Sequence, residues 1–71
     1  MEPTTITERA FVRVVIVDDA PCVRDRLKAL LHADAPCAEV VGEVGEVLAA
    51  IRLIRDRCPD VVILDLQLVG A

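Results

Sequence analysis

This chain has no tryptophan and no tyrosine, and Phe11 is its single aromatic residue. Base stacking and sugar stacking both need flat aromatic faces, so neither is its business. Its core has to be built from Val, Leu, Ile and Ala. Cysteine is present but unpatterned: Cys22, Cys37 and Cys58 are odd in number and contain no Cys-x-x-Cys pair. That argues against a disulfide framework and against a zinc site, and the three read as reduced core or surface residues of a cytosolic protein. No apolar run reaches the roughly 18 residues of a membrane span, and no basic segment followed by an apolar run opens the chain. The expectation is a soluble, cytoplasmic chain without a membrane partner. Basic excess is missing too, since 8 Lys and Arg stand against 12 Asp and Glu for a net charge of −4. Such a balance gives no field to attract nucleic acid. At 71 residues the chain has room for one small domain with a thin margin of stability.

What is present is an alternation of apolar strands and amphipathic helices. Met1 to Ala10, with Pro3, Thr4 and Thr5 and scattered charge, shows no period and reads as a loose tail. Val12 to Val17, preceded by Phe11, is almost continuously apolar, as suits a parallel strand covered on both faces. Asp18 and Asp19 stop it. Pro21 then suits a first helical position, with Asp19 or Ala20 at the cap. Val23, Leu27, Leu30 and Leu31 form one stripe expected to pack on the sheet, and His32 is expected to end the helix. A lone histidine there reads as a solvated residue compensating the helix dipole rather than as a metal ligand. Ala33 to Ala38 reads as a loop, and Glu39 to Val44, interrupted by Gly42, as a short edge strand. Gly45-Glu46 opens a second helix with Val47, Leu48, Ile51 and Ile54 as its stripe, closed by Pro59. Val61 to Leu66 reads as a buried strand. The pattern is β-α-β-α-β, an α/β fold with a parallel sheet and right-handed crossovers.

The strands end in acid. Asp65 sits in the last buried run, where a carboxylate by itself would serve as a cap or turn acid just reaching water. If the first and third strands lie side by side and parallel, however, Asp18, Asp19 and Asp65 meet at one edge of the sheet. Three like charges in partly dry surroundings conflict, and a hard divalent cation resolves the conflict. Mg²⁺ takes oxygen ligands, needs few from the protein and works with phosphate oxygens; calcium would want more ligands than are visible. One carboxylate could then act as nucleophile toward a phosphoryl group. Other phosphate chemistry is poorly served: no Gly-x-Gly-x-x-Gly or Gly-x4-Gly-Lys-Ser/Thr follows the first strand. A phosphatase of the Asp-x-Asp type would need an acid where Gln67 stands.

With these residues placed, the chain resembles the first half of the receiver domain of bacterial two-component response regulators. The resemblance rests on Val12-Arg-Val-Val-Ile-Val-Asp-Asp19, Pro21-Cys-Val-Arg-Asp-Arg-Leu27, Val40-Val-Gly-Glu-Val44 and Pro59-Asp-Val-Val-Ile-Leu-Asp-Leu66, in that order. It runs from about Val12 to Gly70 and divides the chain into a tail, 1–10, and a partial receiver, 11–71. It implies a flavodoxin-like sheet with strand order 2-1-3, Asp65 as the acceptor of phosphate from a sensor histidine kinase or phosphotransfer protein, and Mg²⁺ as cofactor. Asp19 would hold the ion directly, Asp18 would assist it, often through water, and the backbone carbonyl of Gln67 would add a ligand. The first helix would form part of the kinase-docking face. The family also carries a hydroxyl residue and a lysine on two further strands. Neither has a counterpart, because the only lysine is Lys28 in the first helix and Thr4, Thr5 and Thr7 lie in the tail. Whether these residues catalyse phosphoryl uptake alone is therefore left open. An interaction module is the alternative, pairing as a homodimer or with a completing chain through the edge of the third strand.

Overall fold

A computed structural model describes residues 11–65. Their elements run β1 (Val12–Val17), α1 (Pro21–Asp34), β2 (Ala38–Val44), α2 (Val47–Arg57) and β3 (Val61–Leu64). The three strands form one parallel sheet in the order β2-β1-β3, the truncated flavodoxin-like arrangement. The segments taken for the tail and for Gln67 lie outside the described residues.

β1 is the centre because its sequence allows nothing else. Val14, Val15, Ile16 and Val17 are all buried, Val15 and Ile16 completely. Alternating side chains therefore find cover on both faces of the sheet. Val15 and Val17 meet Ala50 in the core cluster, with Val41, Val44, Val47, Leu53 and Ile54 packed around them. The α2 face consists of Val47, Ala50, Leu53 and Ile54; Leu48 and Ile51, expected in its stripe, are exposed. Ala50 is the buried residue of α2, and Leu48 and Ile51 lie off the face it shares with Val47, Leu53 and Ile54.

The helix ends follow local chemistry. Pro21 opens α1 after Ala20, whose carbonyl accepts hydrogen bonds from the amides of Val23 (3.0 Å) and Arg24 (3.1 Å). α1 continues two residues past His32, to Asp34, before the Ala35 amide closes it onto the Leu31 carbonyl at 2.8 Å. No residue of α1 is fully buried and Leu30 is exposed, so its stripe covers the sheet more loosely than expected. α2 ends at Cys58, which adopts a left-handed conformation (φ 46°, ψ 60°) because the following Pro59 disfavours further right-handed helix. That conformation costs a non-glycine residue about 1–2 kcal/mol. The Cys58 amide donates to the Ile54 carbonyl (2.9 Å) and its carbonyl accepts from Arg13 Nη1 (3.0 Å).

β2 carries an irregularity opposite Val14 and Val15, which pair with Val40 and Gly42, leaving Val41 as an extra residue. Arg57 Nη1 donates to the Val41 carbonyl. A Cβ at Gly42 would stand 2.7 Å from Leu53 Cδ2, so a larger residue there would require the Leu53 side chain to shift.

β3 is more open than the buried strand read from the sequence, whose last residue, Leu66, lies outside the described residues. It spans Val61–Leu64, with Val61, Val62 and Leu64 at 44%, 39% and 56% exposure. The reason is that, among the described residues, it stands at the edge of the sheet with β1 as its neighbour on one side. Asp60 anchors its start: the Asp60 amide donates to the Arg13 carbonyl, and the Arg13 amide returns a bond to Asp60 Oδ2, both at 2.8 Å.

Candidate functional site

The order β2-β1-β3 reverses the direction of strand addition at β1, and in open α/β sheets the crevice at the carboxyl ends beside such a point receives ligands. β1 and β3 run parallel in the register Val14↔Val61 through Val17↔Leu64. Continuing it by one residue sets Asp18 beside Asp65. The Asp65 amide donates to the Val17 carbonyl and the Asp18 amide to the Val44 carbonyl, each at 3.0 Å, so both acids leave the sheet on fixed backbone.

Asp18, Asp19 and Asp65 each place a carboxylate oxygen so that the three lie within 4.8 Å of one another. Asp18 and Asp65 are half-buried and Asp19 is exposed. Asp18 Oδ1 accepts the Ala20 amide at 2.9 Å, turning the chain toward the start of α1. The donor set is of the kind Mg²⁺ takes: all are hard oxygens and few come from the protein. Sequence and structure thus agree on which three acids converge. Gln67 lies outside the described residues.

Sequence reasoning missed what stands behind the acids. Arg24 lies outside the apolar stripe of α1, yet its Nη1 donates to the Asp18 carbonyl at 2.7 Å and its Nε to Glu43 Oε1 at 2.9 Å. Lys28 bonds Glu43 Oε2 and lies 3.3 Å from Asp25 Oδ1. Hydrogen bonds from Lys28 and then Arg24 hold the Glu43 carboxyl below its ordinary value, while the bond to Glu43 raises Lys28. The signal was present: Glu43 is a charge near the end of a mainly apolar strand, and Arg24 and Lys28 are one helical turn apart.

Among the described residues, no helix is long and apolar enough to cross a membrane, and all three cysteines are free and exposed.

The sequence matches the family described as response regulator receiver domain over residues 14–71. Among curated proteins it is similar to protein-glutamate methylesterase/protein-glutamine glutaminase 5 of Anaeromyxobacter dehalogenans, with 44% identity over 80% of this chain and 16% of that protein. The protein of the same activity from Agrobacterium fabrum is 44% identical over 83% of this chain and 16% of its own length. One from Cereibacter sphaeroides is 39% identical over 94% and 18%. The chain thus spans less than a fifth of these relatives. No solved structure matches it.

Proposed function

The chain belongs to the response regulator receiver domain family, and we propose that Asp65 is its phosphoacceptor in a two-component phosphorelay. The observation that carries this is the convergence of Asp65 with Asp18 and Asp19 across two parallel strands distant in sequence. An Asp65 carboxylate oxygen attacks the phosphorus of a phosphohistidine on a sensor kinase or phosphotransfer protein. The new P–O bond forms as the P–N bond breaks, and the leaving imidazole nitrogen takes up a proton, leaving an acyl phosphate. Asp19 would hold Mg²⁺, with Asp18 assisting and, outside the described residues, the Gln67 backbone carbonyl as the further ligand that the family resemblance implies. When bound, the ion would supply neutralisation of charge on the transferring oxygens. The module comprises residues 11–71, works in the cytoplasm, and does not need residues 1–10 for the chemistry.

Treating the chain with acetyl phosphate and Mg²⁺ tests this. The expected result is an alkali-labile adduct that maps to Asp65, disappears in Asp65→Asn and survives deletion of residues 1–10. A folded chain that takes up no phosphoryl group contradicts the reading. Because the similar proteins are methylesterase/glutaminases, an output of that kind is the first to assay in a longer protein carrying this receiver.

The exposure of Val61, Val62 and Leu64 favours a second reading, pairing of β3 edges between two copies. Sedimentation should then show a dimer that Val62→Lys dissociates; a monomer at high concentration speaks against it.

A further inference from the structure

Asp19 is the exposed member of the acidic cluster, and its backbone is oriented from behind. A peptide unit is planar, so fixing the Asp18 carbonyl also fixes the plane from which the Asp19 Cα departs. Arg24 makes that bond: Nη1 donates to the Asp18 carbonyl at 2.7 Å while Nε of the same guanidinium donates to Glu43 on β2 at 2.9 Å. The side chain of Arg24 is only 19% exposed. Gly45 closes the far side, since a Cβ there would lie 3.2 Å from Arg24 Nη1 and 3.5 Å from both the Asp18 carbonyl oxygen and the Asp19 Cα. The planar fork, the strand-borne acid and the glycine hold one peptide between them.

The cations around this support have acids of their own. Arg24 and Lys28 face Glu43, and Lys28 also faces Asp25, so two cations meet two anions. We infer that Arg24 is a positioning residue for the metal site, setting the Asp18–Asp19 peptide through its fork to the Asp18 carbonyl and Glu43. This rests on reading the three acids as a divalent-cation site. A lysine cannot replace it, because a single ammonium on a flexible stem lacks the rigid fork that joins two acceptors.

The test is a Mg²⁺ titration of the ¹⁵N-labelled full chain, following the amide signals of Asp18, Asp19 and Asp65, for the wild type, Arg24→Lys, Arg24→Gln and Lys28→Met. Both Arg24 variants should weaken Mg²⁺ binding by about tenfold, the scale of losing a support behind a metal ligand. They should also move the Asp18 and Asp19 amide signals before any metal is added. Lys28→Met removes the other partner of Glu43 without touching Asp18, and should leave affinity and those signals as in the wild type. Should Arg24→Gln fail to fold, Arg24→Lys carries the comparison. Wild-type affinity and amide positions in the Arg24 variants would overturn the inference, as would equal weakening by Lys28→Met. A wild type that binds no Mg²⁺ refutes the cation site instead, and the metal-free signals then decide the positioning role separately.

Discussion

Glu43 accepts hydrogen bonds from Lys28 and Arg24, and its titration should be visible in the stability of the fold. Its carboxyl is held below the ordinary 4.5, so its contribution is fully present above the unfolded-state value and is lost as pH falls through the lower folded-state value. Lys28, raised above 10.5, behaves in the opposite sense, contributing below that value and losing its contribution as pH rises through the higher one. The stability difference between wild type and Glu43→Gln should therefore be constant near neutrality and shrink on acidification below about 4.5. Urea denaturation at a series of pH values checks this, and a difference that persists at low pH contradicts it. At this scale the acids that end strands were legible because a charge after a buried run needs a reason. The bond from Arg24 to the Asp18 carbonyl was not, because sequence carries no record of where a long side chain folds back.

β1 carries the core while α1 does not, and the two elements should respond differently to substitution and to exchange. Ile16 is completely buried, so Ile16→Val should cost about 1 kcal/mol, whereas Leu30→Ser at an exposed position of α1 should stay within about 0.5 kcal/mol. Amides of β1 should exchange only by global unfolding and those of α1 faster, through local opening. Equal protection in both would contradict this ranking. The existence and order of the elements were readable from periodicity and from Pro21, Pro59 and the Asp18-Asp19 stop. Three details were not. The extra residue at Val41 depends on how Leu53 and Arg57 meet β2. The exposure of Leu48 and Ile51 depends on which face of α2 meets the sheet, and the openness of β3 on its place in the sheet. Each is decided by a neighbour remote in the chain rather than by local pattern.

Across the whole molecule, the strand order does the chemistry's positioning. Placing β3 directly beside β1 brings Asp65 to Asp18 and Asp19, although the whole of α1, β2 and α2 separates them in sequence. The ion-paired group of Arg24, Lys28, Glu43 and Asp25 ties α1 to β2 behind the same end of the sheet. Isothermal titration with Mg²⁺ puts this convergence to the test most directly. One ion should bind per chain, with affinity sharply reduced both by Asp19→Asn on the β1 side and by Asp65→Asn on the β3 side. Binding that survives either substitution undiminished would mean that the two strands do not share one ion.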